Sequence, residues 1–388
     1  MYDVIVVGAG PAGCYSAYLC AKAGLETLLL EKDRLPRRKC CAGGVLERAA
    51  RKLDFPIPGE VVEREVHGAV VCVGGHRHEL RFGERVAFTV RRERFDAFLA
   101  RKAEERGATL VEGARVERAS ERSDHVEVAV GPRIHQARCL VLADGVGSRL
   151  AGPLLGPYAQ ERFAAGMSYN LGLEGQPDDL MEFHFYPQGE GRSPPRYGYG
   201  WMFPTDHGAN IGAGGLGFDR AFIVSEAERI EASCSSRFGK VTWREELAGH
   251  PLPLYVRRRL HSPRTMAVGD SGGLANPITG EGMSYAFASA LLAAEAAAGV
   301  CAGDASATEL YERRCRDSIV RDLDAARYVE RAVRALLTPL DLDRFFDAFC
   351  SSEELCSACL GIVRDESDWR LLLRRALPRM PWLYFRSL

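Results

Sequence analysis

The sequence predicts an α/β protein in which a Rossmann-type nucleotide-binding domain is interrupted by an antiparallel sheet domain and followed by a helical C-terminal region. Three observations lead to this prediction. A strand, a glycine-rich turn, a helix and a second strand occupy residues 3–32. Two more buried strands, residues 139–145 and 265–273, carry an aspartate near their carboxyl ends. Short runs of alternating polarity, mostly in residues 61–90 and 160–260, are typical of antiparallel strands.

The order of these elements makes the nucleotide-binding domain discontinuous. A chain of 388 residues is longer than one hydrophobic core usually organises. We predict a nucleotide-binding domain from residues 1–60, 91–150 and 262–300, a substrate-binding sheet domain from residues 61–90 and 151–261, and a helical region from residues 301–388.

Composition and charge exclude several classes of protein. The formal net charge of −1 gives no indication of a nucleic-acid partner. The first residues enter a strand without a basic region, so we expect no secretory signal, and twelve cysteines then indicate a reducing cytoplasm. The apolar run at residues 283–302 is rich in alanine and contains Glu295, which predicts a buried helix instead of a membrane span.

The end of the chain has an unusual composition. Residues 370–388 carry five arginines and no acid, mixed with Trp, Leu and Phe. This mixture is typical of a segment that lies at a membrane surface, and a helix that docks on its own domain or on a dimer mate is the alternative. We therefore expect a cytoplasmic protein with transient peripheral contact to the inner face of the cell membrane.

The first turn has the spacing of a dinucleotide-binding fingerprint. Gly8 permits the tight turn, Gly10 lets a pyrophosphate approach the backbone, and Gly13 lets helix and strand pack closely. The phosphates would lie at the helix N-terminus. Glu31 ends the second strand, where a carboxylate can accept hydrogen bonds from ribose hydroxyls.

Two later segments favour a flavin over a nicotinamide cofactor. "VLADGVGSRL" (141–150) is a strand followed by an Asp-Gly turn, and "AVGDSGGLANPITGEGMSYA" (267–286) is a strand followed by Gly-Asp and a helix start. Asp270 is placed to hold the ribityl or ribose hydroxyls, and the amides of Gly282 and Met283 would stabilise negative charge on the reduced ring. Arg92, with Arg91 as the alternative, is expected to be a third anchor.

These motifs, in this order over about 300 residues, resemble the FAD-dependent hydroxylase-like superfamily. Within it, "KCCAGG" (39–44) and "YGYGWMFP" (197–204) resemble two motifs of the geranylgeranyl reductase family. The residues that match them are Lys39, Cys41, Ala42, Gly43, Tyr199, Trp201, Phe203 and Pro204, whereas the leading proline of the second motif falls on Arg196.

The resemblance implies an enzyme in which reduced FAD saturates carbon–carbon double bonds of an isoprenoid chain. It implies Cys41, Tyr199 and Trp201 as catalytic residues, Tyr199, Trp201, Phe203 and Pro204 as the lining of the substrate cavity, and no metal. The residues implied for FAD binding are Gly8, Gly10, Ala12, Gly13, Glu31, Lys32, Cys41, Ala42, Gly44, Arg92, Val116, Asp144, Asp270, Gly280, Gly282 and Met283.

The implied reaction is demanding because an isolated alkene is not polarised. Hydride transfer to it needs a developing cation, so proton delivery must accompany or precede the transfer. Tyr199 and Trp201 alternate with glycines in an extended segment and would point to one face, where their rings could stabilise a cation; ordinary core aromatics are the alternative. Cys41 follows three basic residues, and it either relays a proton or packs against the flavin ring.

Other features leave alternatives open. A second GxGxxG at Gly212, Gly214 and Gly217 lacks a following βαβ unit, which favours a glycine-rich strand over a nucleotide site. Cys350, Cys356 and Cys359 could be inert thiols, a redox pair or metal ligands.

The alternative functions are a flavin-dependent monooxygenase or halogenase on the same fold, and an electron-transfer flavoprotein that passes electrons to a quinone through an iron–sulfur cluster. The electron donor of a reductase would be NAD(P)H or reduced ferredoxin, and its substrate an isoprenoid lipid of undetermined head group.

Overall fold

The chain forms two compact units, each built from three separate stretches of sequence. The computed structural model describes residues 1–73, 75–159, 163–185, 197–337 and 351–376. The first unit comprises Met1–Arg38, Glu93–Arg162 and Pro253–Leu323, and the second comprises Lys39–Arg92, Phe163–Leu252 and Asp324–Leu388.

The strands and helices of the described residues include a long helix, Arg220–Phe238, within the region 160–260 that the sequence predicts as mostly strands. The strands are β1 (Tyr2–Val7), β2 (Thr27–Leu30), β3 (Gly44–Leu46), β4 (Val62–Val66), β5 (Gly68–Val73), β6 (His76–Arg81), β7 (Ala87–Val90), β8 (Thr109–Val111), β9 (Arg118–Glu121), β10 (Val126–Val130), β11 (Arg133–Leu142), β12 (Phe163–Leu173), β13 (Leu180–Phe185), β14 (Tyr197–Thr205), β15 (Gly208–Leu216), β16 (Val241–Arg244), β17 (Ala248–Pro253), β18 (His261–Ser262) and β19 (Thr265–Ala267). The α-helices are α1 (Pro11–Lys22), α2 (Glu47–Ala50), α3 (Arg92–Glu105), α4 (Ala151–Leu155), α5 (Arg220–Phe238), α6 (Met283–Cys301), α7 (Ala307–Cys315), α8 (Arg321–Leu337), α9 (Glu353–Val363) and α10 (Trp369–Ala376).

The division of the chain into two units differs from the predicted three-part division in six stretches, of which residues 91–92 and 324–388 are assigned to the second unit. Residues 39–60 belong to the second unit, because β3 pairs with β7 in a three-stranded sheet. Residues 151–162, 253–261 and 301–323 belong to the first unit. Hydrogen bonds within that unit account for the last stretch, since the Tyr311 hydroxyl on α7 donates to the Ala267 carbonyl on β19 over 2.6 Å.

The first unit is built on a sheet whose central strands are parallel. Its strand order is β18-β19-β11-β1-β2-β8, with β9 and β10 forming an antiparallel extension from β11. Four residues at the end of β1 are buried, as a central parallel strand requires, and Val4 pairs with Cys139 on one side and Thr27 on the other. The carboxyl ends of β1, β11 and β19 therefore lie at one edge of the sheet, where doubly wound folds bind nucleotides.

Two helices of small residues, α1 and α6, pack together in the first unit. The rings of Tyr15 and Phe287 meet edge to face with centroids 5.4 Å apart. Helix α6 is the one described helix that is long and apolar enough to cross a membrane by length and composition, and 56% of that apolar window is buried. Burial on this scale fits the core helix that the sequence predicts.

The second unit is built on a mostly antiparallel sheet of eight strands. Its order is β16-β12-β15-β14-β13-β5-β6, with β17 also paired to β12, and β13 and β5 run parallel. Helix α5 begins after Asp219, whose carboxylate accepts a hydrogen bond from the amide of Phe222. Residues of α5, including Ile230 and Cys234, cover one face of the sheet by packing against side chains such as Leu171 and Ile211.

A buried ion pair fixes α5 to the sheet. Glu182 on β13 is 2% exposed and accepts two hydrogen bonds from Arg237 on α5, at 2.7 and 3.0 Å, and one from Arg77 at 2.9 Å. Burial by itself would raise the pKa of Glu182, but hydrogen bonds from His184, Arg237 and Arg77 outweigh it and hold the pKa well below its usual range. Cys72 also lies beside this carboxylate, and burial with the nearby charge of Glu182 raises the pKa of its thiol to about 11.

Helix α9 covers part of the other face. Its residues Leu360 and Val363 pack against an apolar cluster that includes Met181 and Phe203. The turn after α9 is held by Asp365, which has a positive φ of 64° and accepts a hydrogen bond from Lys52 at 2.6 Å.

The structure describes the second GxGxxG motif and two of the three tail cysteines, for which the sequence left alternatives open. Gly212 and Gly214 of the second GxGxxG lie on strand β15, as the sequence favours, and Gly217 lies directly after it with a φ of 76°. Cys356 and Cys359 lie on α9, and neither belongs to the one three-residue ligand group found among the described residues. Cys350, Arg196 and residues 377–388 lie outside the described residues, so the predicted membrane segment is described only as far as α10.

Candidate active site

The glycine-rich turn of the first unit has two positions that exclude a side chain and one that leaves open space. Gly8 has a φ of 101°, and a Cβ there would lie 2.5 Å from the Ala143 carbonyl oxygen. A Cβ on Gly13 would lie 1.8 Å from the carbonyl oxygen of Gly8. A Cβ on Gly10 would meet nothing within 4 Å, so the space in front of the α1 N-terminus is free for a phosphate.

Glu31, directly after β2, forms hydrogen bonds to the backbone of the glycine-rich turn and of the residues that follow β2. Its Oε2 accepts the backbone N–H of Ala9 over 2.7 Å, and its Oε1 accepts the N–H of Asp33 over 3.1 Å. Arg37 contacts the same turn, because its Nη2 donates to the Ala9 carbonyl at 3.3 Å, and its Nη1 lies 3.2 Å from the fully buried Asp96. The sequence reasoning missed the Arg37–Asp96 pair, although Asp96 stands in the same "RRERFD" segment as Arg92.

The N-terminus of α6 is shaped by an Asx turn and a capping side chain. Asn276 Oδ1 accepts the amides of Ile278 and Thr279 at 2.9 and 3.1 Å. Glu281 Oε1 accepts the amide of Ser284 at 2.6 Å, which satisfies one of the first N–H groups of the helix. Gly282 is the N-cap and Met283 the first helical residue, so the two predicted amides do stand at the positive end of a long helix.

Two aspartates follow the other strands that end at this edge. Asp270 lies in the 3-10 turn after β19, and a Cβ on Gly282 would be 3.2 Å from its Oδ1, so this carboxylate and the α6 N-terminus are neighbours. Asp144 follows β11, and its buried Oδ1 has no hydrogen-bond partner among the described residues. Burial raises the pKa of Asp144 to about 6, with Ser148 opposing the shift.

These features fit FAD. The unpartnered Asp144 oxygen could accept a hydrogen bond from a hydroxyl of the cofactor, and the open space at Gly10 could admit its pyrophosphate. Of the remaining predicted cofactor residues in this unit, Ala12 is buried on α1, Lys32 is exposed, Val116 packs against the core and Gly280 has a φ of 66°.

The other four predicted cofactor residues lie in the stretches assigned to the second unit: Cys41, Ala42, Gly44 and Arg92. Arg92 is the first residue of α3, whereas its neighbour Arg91 is engaged by Glu245 at 2.5 Å. Twelve of the sixteen thus belong to the first unit, and the contacts of all sixteen with FAD stay a prediction.

The predicted cavity residues of the second unit form a continuous aromatic surface on β13 and β14. Tyr199 lies 5.5 Å from Phe183 and 5.9 Å from both Phe185 and Trp201, measured between ring centroids. Phe183 also contacts Phe203 at 5.4 Å. Alternate residues of each strand thus share one face, as the glycine-interleaved sequence predicts, and Glu182 lies on the face covered by α5.

The indole of Trp201 packs against glycines on β15 and β12. A Cβ on Gly212 would lie 2.4 Å from a Trp201 ring atom, so β15 can pass beneath the ring only without a side chain. A Cβ on Gly166 would be 3.8 Å from the ring, which is ordinary contact. The indole N–H donates to Asn210 Oδ1 at 2.9 Å, a contact that nothing in the sequence indicated.

The "KCCAGG" turn is anchored to the sheet of the second unit at several points. Lys39 Nζ lies 2.5 Å from His250 Nε2, and the Cys40 thiol donates to the Ala248 carbonyl at 3.0 Å. Gly43 has a φ of 79° and its carbonyl accepts the amide of Val90 at 2.9 Å. Cys40, to which the family resemblance assigns no role, is therefore a packing residue, and burial raises the pKa of its thiol.

Cys41 stands at the aromatic surface. It is half-buried, and its Sγ accepts a weak hydrogen bond from the Gly43 amide at 3.4 Å. Burial, followed by the nearby Cys41, raises the pKa of the Tyr199 phenol above its usual range, so this hydroxyl stays protonated at neutral pH. Pro204, the last predicted cavity residue, is buried, and its carbonyl accepts the Thr89 hydroxyl at 2.7 Å.

Comparison with known proteins agrees with this geometry. Residues 45–296 match the family of FAD dependent oxidoreductases, and residues 6–37 match the NAD(P)-binding Rossmann-like domain. The chain is 30% identical over 346 residues to the chloroplastic geranylgeranyl diphosphate reductase of Oryza sativa subsp. japonica, covering 80% of this chain and 68% of that protein. It is 28% identical over 370 residues to digeranylgeranylglycerophospholipid reductase 1 of Methanopyrus kandleri, covering 91% of this chain and 95% of that protein.

Solved structures share the fold. A geranylgeranyl bacteriochlorophyll reductase-like protein from Thermoplasma acidophilum matches with a TM-score of 0.78 at 22% identity, over 98% of this chain and 97% of that one. A flavin-dependent brominase matches with a TM-score of 0.74 at 19% identity, over 98% and 99% of the two chains, which shows a common fold alone. The family match over most of the chain and the 30% identity to the Oryza protein identify this chain as an FAD-dependent oxidoreductase of the geranylgeranyl reductase family.

Proposed function

We propose that this enzyme saturates carbon–carbon double bonds of a geranylgeranyl or related isoprenoid chain carried by an archaeal-type lipid or a prenyl quinone. The observation that carries the proposal is the aromatic surface of the second unit, in which Tyr199 and Trp201 adjoin a half-buried thiol, Cys41. The names of the relatives in Oryza and Methanopyrus support the same class of substrate.

The chain's own residues would meet two requirements of the reaction. Bound FAD, once reduced, supplies the hydride. The rings of Phe183, Tyr199 and Trp201 line one side of the sheet in edge-to-face pairs, a surface that favours an apolar chain and, against a ring face, the positive charge that develops on an alkene carbon. These rings are half-buried, and an isoprenoid chain lying on them would exclude the water that could capture such a cation.

Cys41 and Tyr199 are the two candidate proton donors that we consider at this surface. The Tyr199 phenol keeps its proton because burial raises its pKa, so it can donate a hydrogen bond but is a poor base. The Cys41 thiol is half-buried and adjoins this phenol, which makes it the better placed group to pass a proton to the substrate. We propose Cys41 as the proton relay and the aromatic rings as the stabilising surface.

The alternatives from the sequence carry less support. Halogenase-like relatives are known here only through their fold, at identities too low to indicate a reaction. A cluster-binding role would need the tail cysteines, and Cys356 and Cys359 form no ligand group within the described residues. NAD(P)H or reduced ferredoxin as donor, and transient contact with a membrane surface, stay proposals.

An activity panel under anaerobic conditions tests the proposal. Purified protein with bound FAD, reduced by dithionite, is mixed with geranylgeranyl diphosphate, a digeranylgeranyl glycerophospholipid and a geranylgeranylated quinone, and the products are analysed by mass spectrometry. We expect two added hydrogens per saturated bond for at least one substrate. Unchanged masses for all three, with FAD bound and reduced, would contradict the proposal.

Cys41→Ala tests the proton relay separately. We expect turnover to fall by about 100-fold or more, because general acid catalysis typically contributes about 10²–10⁴-fold, while FAD stays bound. Cys40→Ala is the matched control, since its thiol donates to a backbone carbonyl and should leave turnover within a few-fold. Wild-type turnover in Cys41→Ala would reduce Cys41 to a packing role.

A further inference from the structure

Asn210 on β15 joins the aromatic surface to the Cys41 turn through one buried amide. Its Oδ1 accepts the indole N–H of Trp201 at 2.9 Å, and its Nδ2 donates to the Cys41 carbonyl at 3.4 Å and to Asn170 Oδ1 at 3.0 Å. The side chain is 3% exposed. The carbonyl oxygen and the amino group of the Asn210 side chain therefore both form hydrogen bonds, one as acceptor and one as donor to two partners.

The orientation of this amide is fixed from both ends. An indole N–H can only donate, so it must face Asn210 Oδ1 and not the amino group. At the other end, Asn170 Nδ2 donates to Glu245 Oε2 at 3.0 Å, and Glu245 is held by Arg91 at 2.5 Å. Asn170 must therefore present its oxygen to Asn210, so the chain of hydrogen bonds permits a single arrangement.

We propose that Asn210 is a positioning residue that sets the ring plane of Trp201 and the position of the Cys41 turn relative to one another. This inference rests on the proposed function for its effect on catalysis. If a double bond is to lie against the indole with a proton source beside it, the two groups must keep a fixed separation, and Asn210 is the side chain that contacts both. Gly212 adds to this control because its missing side chain lets the ring lie flat.

The first measurement is the NMR signal of the Trp201 indole N–H. Protein with FAD bound is labelled with ¹⁵N-tryptophan, and its four tryptophans give four indole N–H signals. The Trp201 signal is assigned as the one missing from Trp201→Phe. In Asn210→Ala we expect this signal to move upfield and to exchange faster with solvent, because its acceptor is gone. Asn170→Ala is the matched control, since Asn170 contacts Asn210 but has no hydrogen bond to the indole or to Cys41 among the described contacts.

The second measurement is the steady-state kinetics of the enzyme together with the distribution of its products. We expect Asn210→Ala to lower kcat by about tenfold, the size expected for one buried hydrogen bond, and to release more partly saturated product than wild type, with a smaller change in KM. Asn170→Ala removes one of the two restraints on the Asn210 amide but leaves the acceptor of the indole in place, so we expect a smaller fall in kcat than in Asn210→Ala. If Asn210→Ala does not fold, Asn210→Ser is used, because its shorter side chain cannot span the same contacts.

The outcomes separate the inference from the proposed function. A wild-type indole signal in Asn210→Ala, or a shifted signal with unchanged kcat and product distribution, would overturn the positioning role. A wild-type enzyme that reduces no prenyl substrate would overturn the proposed function instead, and the indole signal would still decide whether Asn210 holds the ring.

Discussion

Replacing Gly10 by alanine should weaken FAD binding while leaving the fold intact. Gly10 has φ −82° and ψ −179°, which any residue adopts, and an added Cβ meets no atom within 4 Å. Alanine in a compatible conformation stabilises by about 0.4–1 kcal/mol through the unfolded state, and losing glycine at a helix N-cap costs a similar amount. We therefore expect the free energy of unfolding of the FAD-free protein to change by less than about 1 kcal/mol.

The effect on FAD is expected to be much larger, because the new methyl group occupies the space that admits the pyrophosphate. One lost hydrogen bond to a charged phosphate costs about 1.5–3 kcal/mol, so the Kd for FAD should rise about 10- to 100-fold. Urea unfolding followed by circular dichroism gives the stability, and titration of the FAD-free protein with FAD, followed by flavin fluorescence, gives the Kd.

Gly13→Ala is the matched comparison. Its Cβ would lie 1.8 Å from the Gly8 carbonyl oxygen, so helix α1 must move away from β1 and the unfolding free energy should fall by several kcal/mol. Gly10→Ala that binds FAD with the wild-type Kd, or that loses as much stability as Gly13→Ala, would refute the assignment of this turn.

Three further predictions concern the sheet and the buried acids. Gly212→Ala should displace the Trp201 ring and lower turnover at least tenfold, whereas Gly166→Ala, which meets the same ring at ordinary contact distance, should keep turnover within about threefold in the anaerobic assay. Glu182→Gln should lose about 3–5 kcal/mol at pH 7, because it breaks a buried ion pair. Since the folded-state pKa of Glu182 is lowered, this stabilisation exists above the unfolded value near 4.3 and disappears as pH falls, so urea unfolding at pH 7 and pH 3 should show a smaller difference in the variant. The contribution of Asp144 to stability depends on pH in the opposite direction. Its pKa is raised to about 6, so the unfolding free energy of the FAD-free protein should fall as pH rises from about 4 to 6. Asp144→Asn should remove this dependence on pH.

The steric role of each glycine in the first turn could be predicted from the sequence motif. The roles of Gly8, Gly10 and Gly13 depend on atoms only a few residues or one strand away, so the sequence motif is enough to indicate which glycine is tight and which is open. The alternation of Tyr199 and Trp201 with glycines predicted a shared face for the same reason, because strand periodicity alone sets it.

Contacts between distant segments could not be predicted in this way. Residues 39–60 join the second unit because β3 pairs with β7, more than 40 residues later, and nothing in the "KCCAGG" segment specifies that pairing. The sequence also does not indicate that Arg37, one of the basic residues before the two cysteines, pairs with Glu31 and Asp96. Asn210 was overlooked because it stands in a glycine-rich run, where only the register of β14 against β15 brings it to Trp201.

The central claim is that this enzyme uses reduced FAD to saturate isoprenoid double bonds, and a single-turnover experiment tests it most directly. Protein with its FAD reduced under anaerobic conditions is mixed with a prenyl substrate that the panel identifies, and flavin reoxidation is followed by absorbance while the product is quantified by mass spectrometry. We predict that one double bond is saturated for each flavin reoxidised, and that the product takes both hydrogens as deuterium when the reaction is run in D₂O, because the reduced flavin and the thiol exchange their protons with solvent. Flavin that stays reduced in the presence of every prenyl substrate, or that reoxidises without saturated product, would contradict the account.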